Sequence, residues 1–166
     1  YEAGARQALG LESSVEVTLF RQDVQGLIQR DVVSGLFENI AETAFKGVEF
    51  TATSTAVRRL RLDLSYTHLT SRDESPGTAR KQQQYTPGNS LAVSAVYRLR
   101  DDLRLYGAFQ RVSEMMYYSR GTPLARRELD PYSLVDLNLH YDLPGRRIAL
   151  YFGADNLLDS NFEESY

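Results

Sequence analysis

The chain has no cysteine and no tryptophan among its 166 residues. Without cysteine there are no disulfides, thiolate metal sites or cysteine nucleophile, an absence equally compatible with cytosol and cell envelope. An excess of one charge sign is also missing, since 19 Lys and Arg stand against 22 Asp and Glu, a formal net charge of -3. The basic residues are dispersed, so nothing resembles a nucleic-acid stripe. No stretch approaches the ~20 apolar residues of a membrane helix, and mean hydropathy is -0.40. That value does not exclude a membrane barrel, whose strands turn only every second side chain to lipid. No charged-then-apolar leader opens the chain. It begins without Met, inside the strand-like "YEAGARQAL", and reads as an excerpt of a longer protein. The patterns GxSxG, HExxH and the phosphate loop do not occur. No pair of acids has a spacing tied to strand ends or a pocket, so no catalytic residue and no enzyme activity is expected.

What the sequence does contain is alternation. "VEVTLF", "LRLDLSYTHL", "LAVSAVYRL", "LRLYGAF", "LVDLNLHYDL" and "IALYFGAD" place apolar and polar side chains in turn, the period of a strand with one face in each of two environments. The gaps between such segments alternate too. Gly10–Ser13, Val57–Arg59, Arg100–Asp102 and Pro144–Arg147 are tight, whereas 25–43, 71–89 and 113–131 are long and polar. Short turns at one end and long loops at the other are the layout of an outer-membrane barrel. The expected fold is all-β, an antiparallel up-and-down meander of about eight strands. They run near Tyr1–Leu9, Ser14–Val24, Ala44–Ala56, Leu60–Thr70, Ser90–Arg98, Leu103–Val112, Tyr132–Leu143 and Ile148–Asp155. Leu27, Ile28, Val32 and Val33 leave room for an extra hairpin or strand extension in the first long gap, and a short helical turn fits within Ser113–Tyr118. The stretch "SRDESPGTARKQQQYTPGN" reads as an exposed, mobile loop in which Arg80 and Lys81 are solvated rather than an anion site.

Alternation also assigns faces, because residues i and i+2 share a side. Leu60, Leu62, Leu64 and Tyr66 oppose Arg61, Asp63, Ser65 and Thr67; Val135, Leu137, Leu139 and Tyr141 oppose Asp136, Asn138 and His140. Periodicity admits two readings of these faces: a soluble sandwich core with a wet exterior, or a lipid-facing wall with a hydrated lumen. Charges of both signs deep within strands, and small residues such as Ala52, Ala95 and Gly107 on the apolar face, favour the membrane wall. His68 continues the apolar face and His140 lies on the polar one, so the histidines do not form a metal set and no metal or other cofactor is expected.

Four segments carry a resemblance. Asn39 precedes a polar run and the Gly47-Val48-Glu49 triplet, which opens a strand; a tight turn then leads to a strand ending in Tyr66-Thr67. Pro87 and Asn89 stand at the start of "TPGNSLAVSAVYRL", "YSLVDLNLHYDL" has a D-L hairpin strand, and "FGADNLLDSNFEESY" holds Asn156, Leu157, Leu158 and Asp159. In this order they resemble the distal barrel of TonB-dependent outer-membrane receptors. Leu158 stands where that family usually has Phe, and Ser160 where it usually has Lys.

The resemblance implies that 1–166 is one C-terminal segment of a transmembrane β-barrel of about twenty-two strands, without plug, TonB box or final strand. It places the segment in the bacterial outer membrane, as part of an active transporter for a scarce nutrient such as a siderophore or other metal chelate. The partners implied are outer-membrane lipid, the receptor's own plug, TonB and the chelate, with no nucleic acid. Glu49, Asp63, Arg104, Asp136 and Asn138 would face the lumen, while Met115, Met116, Tyr117 and Tyr118 would offer an apolar patch to an external ligand. The rival readings are a self-contained eight-stranded barrel, a passive porin-like channel and a soluble β-sandwich binding module. A piece of barrel wall also has open edge strands, through which isolated copies would associate.

Overall fold

A computed structural model describes residues 1–10, 12–30, 35–74, 82–119, 125–145 and 147–163. The strands are β1 (Glu2–Gly10), β2 (Ser13–Arg30), β3 (Phe37–Ser54), β4 (Leu60–Asp73), β5 (Asn89–Arg100), β6 (Leu103–Val112), β7 (Met115–Tyr118), β8 (Arg126–Leu129), β9 (Tyr132–Asp142) and β10 (Ala149–Ala154). Eight of them form one sheet in the order β1-β2-β3-β4-β5-β6-β9-β10, and β7 and β8 form a separate hairpin. Every neighbouring pair in the large sheet is antiparallel. The meander expected from the gaps is therefore the fold.

Two details depart from expectation and one allowed alternative is realised. The helical turn allowed within Ser113–Tyr118 is absent, because Met115–Tyr118 is strand β7. The strand extension allowed in the first long gap is taken up: pairing of β2 with β3 continues to Arg30↔Phe37. Of the loop read as exposed and mobile, residues 71–73 extend β4, and Gln84 is only 7% exposed. Arg80, Lys81, Val32 and Val33 lie outside the described residues.

Register carries the two faces across the whole sheet. Gln7↔Val15↔Ala52↔Leu64↔Val93↔Phe109↔Val135 form one row, and Ala8↔Ser14↔Thr53↔Asp63↔Ser94↔Ala108↔Asp136 form the adjoining row on the other face. A one-residue slip at any pair would exchange the faces, so this agreement over consecutive hairpins specifies the register strongly. Bulges between Ala8 and Gly10, and between Arg98 and Arg100, stand beside tight turns. The first of those turns uses positive φ at Gly10 (84°) and Glu12 (55°), a conformation glycine reaches without a Cβ penalty.

The apolar face is not a core. Leu19, Leu62, Tyr97, Leu137 and Phe152 are exposed on it, and no second sheet covers them among the described residues. Fully burying one such side chain is worth about 1.5–3 kcal/mol, a gain this face would obtain only from an apolar surrounding. Apart from Ala44, the buried apolar residues gather beside the hairpin: Val112, Met115, Met116, Leu129 and Tyr132. A sandwich core is therefore missing where that reading required one. A closed eight-stranded barrel is not formed either, since β1 and β10 are opposite edges of the sheet.

Candidate functional site

The sheet curls with its polar face inward. A concavity of about 530 Å³ near its middle is lined by Thr51, Thr53, Asp63, Ser65, Ser94, Gln110 and Asp136. A second, of about 210 Å³, lies beside Arg104, Asn138, His140 and Tyr151. Glu49, Asp63, Arg104, Asp136 and Asn138 all share this concave face through the register. They are spread over it rather than convergent. Asp63 and Asp136 occupy one row, with β5 and β6 between them, a separation of about 14 Å at ordinary strand spacing.

Each is held differently. Asp63 accepts from Arg61 at 2.8 and 2.9 Å and from the Thr53 hydroxyl at 2.8 Å. Arg104 reaches across to β9, where its Nη2 lies 3.0 Å from Asp142 Oδ2 and 2.9 Å from His140 Nε2. That same Nε2 is 2.8 Å from Asp142 Oδ1, so it accepts from Arg104 when unprotonated and donates to Asp142 when protonated, never both. Tyr151 meets the His140 ring edge to face at 4.4 Å. Asp136 accepts the backbone N–H of Asn156. Asn138 lies opposite Tyr106 and Gly153, and Glu49 makes no ion pair among the described residues, standing between Thr18 and Thr67. No group of three or more acids and histidines converges as a metal set among the described residues.

The loop-side hairpin is the second candidate region. Met115↔Leu129 and Tyr117↔Arg127 pair within it. Met115 packs with Val112, Leu129 and Tyr132, and Tyr85, Tyr117 and Leu134 flank this cluster. Met115 and Met116 are 4% and 2% exposed, so of the four hairpin residues Tyr117 and Tyr118 retain surface. The segment before β5 is strapped to the hairpin: Tyr85 N–H donates to the Met116 carbonyl, and Tyr118 N–H donates to Gln84 Oε1, both at 2.9 Å. Tyr85 and Tyr117 stack with centroids 5.9 Å apart. Sequence reasoning missed Gln84 and Tyr85, because a polar "KQQQY" stretch carries no period that announces burial.

Four segments singled out in the sequence meet in pairs. Asn89 Oδ1 accepts the Tyr66 hydroxyl at 2.8 Å and lies 2.9 Å from His68 Nδ1. Asp136 and Asn156 are joined as described, and Asn156 also holds Ser160 through Nδ2 to its carbonyl and Oδ1 to its N–H. Gly47 is a close-approach position, where a Cβ would run into the His68 carbonyl and the Phe20 ring.

A curled antiparallel meander with an apolar convex face, a charged concave face, tight turns at one end and long loops at the other is a stretch of outer-membrane β-barrel wall. The chain belongs to the TonB-dependent receptor family, whose β-barrel model it matches over residues 1–157. That family lies in the bacterial outer membrane and is not enzymatic. No curated protein matches the sequence. Similar solved structures include the ferric-catecholate import receptor Fiu from K12 E. coli, with 18% identity, TM-score 0.77 and coverage of 98% of this chain and 23% of that one. The ferripyoverdine receptor of the Pseudomonas aeruginosa outer membrane has 17% identity and TM-score 0.79, over 99% of this chain and 24% of its own. The ferric yersiniabactin uptake receptor FyuA from Yersinia pestis has 15% identity and TM-score 0.79, over 99% and 25%. The chain thus spans about a quarter of the length of these receptors.

Proposed function

We propose that residues 1–166 form a C-terminal segment of the barrel wall of an active outer-membrane transporter. Its cargo is a scarce nutrient of the metal-chelate class, siderophores among them, and its energy arrives through TonB acting on the receptor's own plug. The observation that carries this reading is the family match over 1–157, supported by a fold shared with receptors described as importing or binding ferric chelates. In this reading Glu49, Asp63, Arg104, Asp136 and Asn138 face the lumen, where they contact water and plug. The convex face meets lipid, and Tyr117 and Tyr118 present the hairpin to an external ligand, with Met115 and Met116 as its packed base.

Two measurements on the intact receptor test it. Single-cysteine probes at Leu64, Val93, Leu105 and Leu137 are expected to report lipid, and those at Ser65, Ser94, Tyr106 and Asn138 a hydrated interior. Convex-face probes shielded from lipid would sink the membrane-wall reading. Uptake of radioactive iron chelates by iron-starved cells is expected to depend on the receptor and to stop on adding a proton ionophore. Uptake that continues in its presence would indicate a passive channel instead.

A further inference from the structure

The turn-side end of the concave face carries a row of basic side chains. Register places Arg98 on β5 opposite Arg104 on β6, Arg104 opposite His140 on β9, and His140 opposite Tyr151 on β10. Like charges directly opposite one another across two strands are destabilising. Asp142 is the one acid bonded to this row among the described residues, taking Arg104 on Oδ2 and lying against His140 through Oδ1. The Arg98 side chain is exposed and bonds nothing among the described residues. Arg104 is held through Nη2 alone, and its Nε is buried without a partner. By contrast, Arg21 and Arg61 each close on their aspartates through two nitrogens.

His140 decides how far that one carboxylate goes. Its Nε2 lies 2.9 Å from Arg104 Nη2 and 2.8 Å from Asp142 Oδ1. With Nε2 bare, the nitrogen accepts from Arg104 and the hydrogen of the neutral ring sits on Nδ1. With the ring doubly protonated, Nε2 donates to Asp142 and meets Arg104 donor to donor and cation to cation. The charged and titratable groups facing the ring are Arg104 from β6, Asp142 on β9 itself and Tyr151 from β10, with Arg98 and Tyr106 in the next positions. Protonation therefore sets one carboxylate against three cations instead of two. Histidine is the side chain that ordinarily changes charge between about pH 5 and 8, so the positive excess grows as pH falls.

We propose that Arg98, Arg104 and His140 form a proton-controlled seat for a carboxylate side chain of the receptor's own plug, gripped more tightly as pH falls. Charge-assisted hydrogen bonds from the two guanidinium groups would relieve their mutual repulsion. The concavity of about 210 Å³ bordered by Val96, Tyr106 and Tyr151 gives such a side chain room to enter. The chain spans 23% to 25% of the similar receptors, and in the function proposed above the remainder includes a plug that this face encloses. The seat rests on that reading of the concave face as the lumen.

The test uses the intact receptor carrying Arg98→Lys, which keeps the cation and adds an amine that a zero-length carbodiimide joins to a carboxylate in contact with it. Mass spectrometry of the resulting peptides is expected to find an Asp or Glu of the plug joined to position 98. At about pH 5.5 the yield is expected to fall about threefold when His140→Gln is added, and at about pH 8 the two backgrounds should match. No cross-link, a cross-link confined to Asp142, or equal yields at the lower pH would overturn the proposal. In spectra of isotope-labelled histidine, the signal lost on His140→Gln is expected to carry its hydrogen on Nδ1 at the higher pH. A hydrogen on Nε2 there would remove the Arg104 contact on which the control depends, and the proposal with it. A fluorophore at Val96→Cys, challenged with brominated lipid, separates the two levels of inference. No quenching together with equal cross-link yields removes the seat alone, whereas quenching removes the luminal reading as well.

Discussion

The backbone N–H of Asn156 donates to Oδ1 of Asp136 at 2.9 Å, tying the exit of β10 to the concave face of β9. Asn156 sits at φ 51°, a left-handed conformation that asparagine tolerates better than most residues. Its side chain then closes a turn on Ser160, whose hydroxyl donates to the Ser133 carbonyl at 2.6 Å. Phe162 comes to rest on Tyr132, with centroids 4.5 Å apart. One asparagine thus redirects the chain back over the start of β9.

Asn156→Ala is expected to destabilise the receptor by about 1–3 kcal/mol, through two lost side-chain hydrogen bonds and a strained φ. Asn156→Gly removes the strain but not the lost bonds, so it should fall between alanine and wild type. Urea unfolding midpoints of the three proteins check the order, and a glycine variant as unstable as alanine would remove the role of φ.

Gly47→Ala is expected to cost about 1–3 kcal/mol by overpacking, because the new Cβ meets the His68 carbonyl as well as Phe20. Adding Phe20→Ala relieves only the ring contact, leaving the backbone clash in place. The pair should therefore remain less stable than Phe20→Ala alone, measured by the temperature at which the folded barrel is lost on a semi-native gel.

Tyr66 and His68 share one acceptor, Asn89 Oδ1. Tyr66→Phe removes one bond, for about 1 kcal/mol, whereas Asn89→Ala strands both partners and should cost more. Because the two changes break the same contact, the double variant should be more stable than the sum of the single losses predicts. A double-mutant cycle that adds within error would contradict the shared acceptor.

Gln84→Ala removes the acceptor for the Tyr118 amide. Faster hydrogen exchange is expected at Tyr118, with the strands β4 to β6 unaffected, since local opening does not require the sheet to unfold. Unchanged exchange at Tyr118 would mean that the strap does not hold the hairpin.

Expressed alone, the chain exposes β1 and β10 as edge strands together with its whole apolar face. It is expected to require detergent or to assemble through those edges. A stable monomer by light scattering in detergent-free buffer would count against the wall.

Much of this was legible residue by residue. Val15, Leu64, Val93 and Phe109 share a face because strand geometry alternates side chains wherever the two surroundings differ. The tight turns at Gly10–Ser13 and Arg100–Asp102 were readable as interruptions of that period. Beyond the apolar band the signal allowed a strand extension, through Leu27 and Ile28, without fixing one. β2 and β3 run on past Val24 and Ala44 with no two-fold pattern, because nothing beyond the apolar band penalises a polar side chain on either face. The β7–β8 hairpin was missed for a related reason: each strand has only four residues, too few for alternation to stand out.

The sequence by itself determined the order of turns and loops, the partition of each strand into two faces, and the family motifs at Asn89, Asp136 and Asn156. All of these are local, since they follow from side-chain period and turn chemistry within a few residues. Only the tertiary structure decided that the polar face is the concave one, that Asp136 receives Asn156, that Tyr66 and His68 converge on Asn89, and that Arg21 faces Lys46. Those relationships link residues 20 or more positions apart, and they depend on the curl and stagger of the whole sheet, which no single strand encodes.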